Sequence, residues 1–138
     1  MAGAAGSAPV KALIDTNVLV RHLTGDPPSQ ARRATAFLRS ENELILTDLV
    51  LAEMVYVLES FYGTSKTEIA GMARALLALP SIAVVDHDPL LRALEFYETV
   101  RLDFAEAYLV ALSELADVQI ASFDRQIDRV KTVKRVEL

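Results

Sequence analysis

The chain has no cysteine, which excludes a disulfide framework, a thiolate nucleophile and cysteine-ligated zinc. Its two histidines, His22 and His87, lie far apart in sequence beside turn-forming residues. They offer no convergent imidazole site, and both read as surface residues. No apolar run approaches the roughly 20 residues that a membrane-spanning helix needs. Positive charge is also in short supply: 14 Lys and Arg stand against 19 Asp and Glu, a formal net charge of −5. Simple non-specific duplex binding depends on many basic contacts to phosphate, so this balance argues against it. An enzyme acting on nucleic acid is not excluded, because Arg21, Arg32, Arg33, Arg39, Arg125, Arg129, Lys131, Lys134 and Arg135 remain available for phosphates. Most of these read as solvated surface charge.

What is present is an apolar fraction of 52 % over 138 residues, enough to bury a core in one domain. Residues 1–9 are small and featureless and read as a flexible segment preceding a single domain over 10–138. They have neither the charged nor the apolar region of a secretory signal. Absence of cysteine fits a cytoplasmic protein.

Short aliphatic runs alternate with longer amphipathic ones, the pattern of a parallel α/β sheet. Strands are expected over 10–14, 44–46, 82–85 and 119–121, with a short fifth over 133–136. The first reads as a central strand buried on both faces. Thr47 is placed to cap one helix, and Ser65-Lys66-Thr67-Glu68 has the spacing of a capping box opening another over 66–78. Gly25-Asp26-Pro27-Pro28 breaks the chain, after which Ser29 can cap a helix reaching residue 38. Asp86, Asp88 and Pro89 mark a further helix start. Helix 66–78 and the Phe61-Tyr62 pair are candidates for apolar surface offered to a partner, although core packing suits most of those side chains.

Carboxylates at four places adjoin these apolar runs: Asp15, Glu53, Asp103 or Glu106, and Asp124. Acids so near a core are costly unless something offsets their charge. Glu53 has only apolar neighbours three and four positions away, namely Leu49, Val50, Tyr56 and Val57. Burial there would force it to neutralise or to bind a cation. Each aspartate also has a local explanation. Asp15 before Thr16-Asn17 is a good helix cap, Asp103 and Glu106 have capping-box spacing, and Asp124 precedes a turn. Asp128 reads as a solvated ion-pair partner. Jointly the acids border strand ends that parallel crossovers bring to one sheet edge, where open α/β sheets bind ligands. An all-oxygen set suits Mg²⁺ or Mn²⁺ rather than zinc. Thr16, Asn17 and Ser122 could orient the ligands from behind.

In four places the sequence resembles the PIN-domain ribonucleases, in particular the VapC-type toxins of toxin–antitoxin pairs. The matching stretches are Leu13-Ile14-Asp15-Thr16-Asn17-Val18-Leu19, Ala52-Glu53, Asp103-Phe104-Ala105-Glu106-Ala107-Tyr108-Leu109-Val110-Ala111 and Ser122-Phe123-Asp124-Arg125. They span the chain from residue 12 to 125. One departure stands out: where the family usually has a third Asp, this chain has Glu106, with Asp103 three residues before it. Either acid, or both, could be the third ligand. The resemblance implies a three-layer α/β fold, a parallel sheet of four or five strands flanked by helices. It also implies Mg²⁺- or Mn²⁺-dependent endonuclease action on RNA through Asp15, Glu53, Asp103, Glu106 and Asp124, inhibition by a small antitoxin protein, and a homodimer. A PIN-like scaffold that binds RNA or a protein without cutting is the alternative.

Overall fold

A computed structural model describes residues 8–138, so the expected flexible segment over 1–9 lies almost wholly outside the described residues. Strand β1 (Lys11–Leu13) leads into helix α1 (Thr16–Thr24), which ends at Gly25 in the left-handed conformation that glycine adopts without steric cost. Helix α2 (Pro28–Arg39) follows. Its cap position is Pro27 and no side chain caps it, so Ser29 does not play the capping role the sequence suggests. Pro28 at the first helical position instead supplies a preset φ and lacks the N–H that would be orphaned there.

Strand β2 (Glu43–Ile45) is followed by α3 (Asp48–Ser60), whose first turn is capped by the Thr47 hydroxyl accepting from the Val50 N–H at 3.2 Å. Ser65 caps and opens α4 (Lys66–Leu77) with the first half of the expected box, its hydroxyl accepting from the Glu68 N–H at 3.2 Å, while the Glu68 carboxylate accepts from that hydroxyl at 3.0 Å instead of from the Ser65 N–H. Strand β3 (Ile82–Ala83), α5 (His87–Thr99), α6 (Phe104–Ala116) and β4 (Ile120–Ala121) come next. A short 3₁₀ turn (Arg125–Arg129) and β5 (Arg135–Val136) close the described chain.

The result is α/β, with six helices around parallel strands. Five strands form, all in parallel pairings, but their hydrogen bonds make two ladders: β1-β2-β3 and β4-β5. Within the first ladder β2 is central and β1 lies at the edge. Leu44 of β2 is fully buried while Leu13 of β1 is 72 % exposed, so the reading of β1 as a central strand buried on both faces is overturned. Among the described residues only β2 has a neighbour on each side, which is why its aliphatic residues are the ones enclosed.

Helix α3 organises what lies beyond the sheet. It packs against α1, α4 and α6, while α5 packs between α4 and α6. Leu51, Met54, Val55 and Leu58 recur at helical spacing on its inner face and are buried with Leu19, Ile69, Leu94 and Val110. Such burial removes on the order of 2 kcal/mol of apolar exposure per large side chain. Helix α3 thereby sits against both α1 and α6, the two helices whose first turns carry the other acids.

Candidate metal centre

Each of the three aspartates is a helix or turn cap, and in each case one carboxylate oxygen is used for it. Asp15 Oδ1 accepts from the Thr16 N–H at 2.9 Å, Asp103 Oδ1 from the Glu106 N–H at 2.9 Å, and Asp124 Oδ1 from the Gln126 N–H at 2.9 Å. Capping and ligation are therefore not competing explanations. A cap fixes one oxygen and leaves the carboxylate plane oriented, with its second oxygen turned away from the backbone donors.

One contact fastens α3 to α1 and another fastens it to α6. The Thr16 hydroxyl at the start of α1 donates to Glu53 Oε1, and the Tyr108 hydroxyl of α6 donates to Asp48 Oδ2 in the first turn of α3. Asp48 holds the Tyr108 phenol up to about 12, so it stays protonated and remains a donor. Thr16 itself is buried, and it ties Glu53 to the helix that Asp15 caps. Near the start of α6, Glu106 neighbours both Asp103 and Asp124. Contact with Asp124, then burial, then Asp103 push the Glu106 carboxyl up to about 7, and the same shared contact draws Asp124 below its ordinary value.

Glu53 departs from expectation. It is exposed rather than buried, because Leu49 and Tyr56 beside it on the helix are themselves 80 % and 63 % exposed. An apolar patch, not an apolar interior, surrounds this acid. Leu13, Val85 and Phe123, at or just past strand ends, are exposed as well. Among the described residues no group of three His, Asp or Glu side chains is arranged to hold a metal ion. Crowding by Asp124 and Asp103 favours the protonated form of Glu106. The donor chemistry, oxygen throughout, fits Mg²⁺ or Mn²⁺, and such a cation would replace that proton.

Behind these acids lie residues that sequence reading did not assign to the site. Ser122 was singled out, and its hydroxyl accepts from the Asp124 N–H at 3.0 Å. Its carbonyl, however, is held by Arg135 at 3.1 Å, and the same guanidinium grips Asp128 through Nε and Nη2 at 3.0 and 3.1 Å. With 5 % of its side chain exposed, Arg135 is consumed in bracing the Asp124 loop and is not free for phosphate. Asp128 is the ion-pair partner the sequence suggested. Arg125 pairs with Glu137 at 3.0 Å. His22, read as a surface residue, is half-buried: its Nδ1 is 2.7 Å from the Thr35 hydroxyl, and burial followed by nearby Arg39 lowers its pKa. Asn17 is exposed and touches none of the acids.

Glu106 gives this site a pH signature in the metal-free protein. Its folded value of about 7 lies above the ordinary 4.5, so the fold binds this proton more tightly than the unfolded chain does. The associated stability is full below about pH 4.5 and is lost as pH rises through about 7. Melting temperatures of metal-free wild type should therefore fall, relative to Glu106→Gln, between about pH 5 and about pH 8. Parallel curves for the two proteins would show that the three acids do not share a proton.

A family model described as the PIN domain matches residues 12–133. No curated protein matches the chain. Among solved structures, one described as VapBC2 from Rickettsia felis bound to a DNA fragment from their promoter aligns at 13 % identity with a TM-score of 0.37. That alignment covers 92 % of this chain and 97 % of the other.

Proposed function

The chain belongs to the PIN-domain family, whose members are generally nucleases, and from that premise we propose that it is a divalent-metal-dependent endoribonuclease, the toxin of a type II toxin–antitoxin pair. The observation that carries the reading is the tie between acid-bearing elements: Thr16, next to Asp15, bonds to Glu53 on α3, and Tyr108, two residues past Glu106 on α6, bonds to Asp48 on the same α3. Carboxylates gathered at the starts of helices tied together in this way offer the all-oxygen donors that a hard divalent cation takes. Residues 10–138 act as one domain in this reading. No helix among the described residues is long and apolar enough to cross a membrane, and a cytoplasmic setting suits a substrate such as RNA.

Asp15, Glu53, Asp103, Glu106 and Asp124 would hold Mg²⁺ or Mn²⁺. Such an ion, when bound, supplies Lewis acidity to the scissile phosphate and lowers the pKa of water. The protein's own part is positional. Caps on Asp15, Asp103 and Asp124 preset three carboxylates. Thr16 holds Glu53, and Ser122 holds the Asp124 backbone. Glu106 would have to be ionised to hold the cation, so loading would become more favourable as pH rises.

Leu13, Leu49, Tyr56 and Phe123, each within four residues of Asp15, Glu53 or Asp124 in the chain, are exposed apolar side chains. A small antitoxin that covers them and places an Arg among the carboxylates would silence the site, and a homodimer fits the same exposed surface. The test is cleavage of cellular RNA by the purified chain. Cutting should appear with Mn²⁺ or Mg²⁺, stop on chelation, and return on adding metal back. Glu106 in place of the family's Asp favours one rival, a PIN scaffold that binds RNA or a partner without cutting. RNA left intact at every metal concentration, with no heat of Mn²⁺ binding by calorimetry, would establish that rival instead.

A further inference from the structure

Charge is unevenly distributed along this acidic chain. Residues 16–40, which hold α1 and α2, contain four of its 14 basic residues, Arg21, Arg32, Arg33 and Arg39, and one of its 19 acidic ones, Asp26. The ion pairs among the described residues engage Lys11, Lys66, Arg74, Arg92, Arg125 and Arg135, and none of these four arginines. Arg21 is the most telling. One terminal nitrogen makes a long contact of 3.5 Å to the Asn17 carbonyl, while its Nε is buried with no hydrogen-bond partner. A buried donor left unmatched is costly and is normally satisfied.

Arg21 and Arg33 face one cavity of about 400 Å³ between α1 and α2, together with Asn17, Gln30 and Phe37. A second cavity, of about 490 Å³, shares Asn17 and Arg21, has Asp26 as its one acidic lining residue and continues past Phe61 and Tyr62. Both reach Asn17, two residues from Asp15. We propose that this pair of cavities is a strand-anchoring site for an unpaired RNA segment, with Arg21 and Arg33 on its phosphates and Phe61 and Tyr62 against its bases, leading the chain to Asp15. Guanidinium forks match phosphate oxygens, and aromatic faces accept any unstacked base. The inference rests on the nuclease reading and names the form of substrate that reading requires.

The test is fluorescence anisotropy of a short fluorescein-labelled single-stranded RNA with the full chain in EDTA, between about 50 and 200 mM KCl. Each phosphate contact to a single strand contributes about 0.7 to the slope of log affinity against log salt. Arg21→Gln/Arg33→Gln should bind at least about tenfold more weakly at low salt and lose about 1.4 of that slope. Arg33→Gln alone, an exposed change that spares the fold, should lose about 0.7, while Arg21→Lys/Arg33→Lys keeps the slope near that of wild type. Lys11→Gln, at the opposite end of β1 from Asp15, should change nothing. Wild type that cuts RNA while the Gln variants keep its slope overturns the anchoring site alone. Equal weakening toward a polyglutamate peptide overturns it too, in favour of an acidic protein segment. Wild type that neither binds nor cuts RNA overturns the nuclease reading and this inference together.

Discussion

Asp15→Asn is expected to lower RNA cleavage by more than about a hundredfold while leaving the melting temperature almost unchanged. Loss of a residue that merely orients a metal ligand costs about 10–100-fold, and Asp15 is proposed as a ligand itself. The stability half of the expectation comes from the cap. Asp15 Oδ1 accepts from the Thr16 N–H at 2.9 Å, and Asn caps a helix about as well as Asp. The substitution keeps that acceptor and removes only charge. Asp15→Ala should differ, losing about 1 kcal/mol with the cap as well as the activity. Cleavage and Mn²⁺ binding measured beside thermal melts separate the two contributions. Wild-type cleavage by Asp15→Asn would remove this residue from the chemistry, whereas inactivity with a collapsed melt would mean that Asp15 serves the fold alone.

That separation is possible because the most local features were legible in the sequence. Ser65 and Glu68 stand three apart, and the Ser65 cap needs no knowledge of the rest of the chain. Thr47, Asp86 and Asp103 cap helices for the same reason. Strand positions follow from short β-branched and aliphatic runs, and the observed strands fall within or one residue beside those runs. Sequence order does not encode which strand lies at the edge, and β1 illustrates the cost: an aliphatic run looks equally central wherever it pairs. Glu53 failed for a related reason. Apolar neighbours on a helix face can be core or exposed patch, and only the packing of α3 against α1, α4 and α6 decides which. Arg135 looked like one more surface cation, since its partners Ser122 and Asp128 are 13 and 7 residues away. Side chains that brace the site from a distance are fixed by tertiary contacts and leave no spacing to read.

Lys66 is the clearest such brace, and Lys66→Met is expected both to destabilise the protein by about 2 kcal/mol and to weaken Mn²⁺ binding by about tenfold. Its Nζ stands 3.3 Å from Glu59 Oε2 on α3, 3.4 Å from the Leu102 carbonyl and 4.0 Å over the ring of Tyr97 on α5. Tyr97 is fully buried, and its hydroxyl also donates to Glu59. Burial, then that carboxylate, hold the Tyr97 phenol well above its ordinary range, so it remains a donor. One ammonium thus joins three elements at the residue before Asp103. The backbone there needs holding: Arg101 has φ of 65°, a left-handed conformation that costs a non-glycine residue on the order of 1 kcal/mol. Methionine keeps the apolar stem but loses a charged hydrogen bond and the attraction to the ring, worth together about 2 kcal/mol once rehydration of half-exposed Glu59 is allowed for. Freed from Lys66, the Leu102 carbonyl no longer fixes where Asp103 and the first turn of α6 begin. Ile69→Val, a core change on the same helix costing about 1 kcal/mol, controls for stability: it should lower the melting temperature and leave Mn²⁺ affinity intact. Equal metal affinity in Lys66→Met and wild type would confine this residue to the fold, and an unchanged melt would reduce it to a surface ion pair.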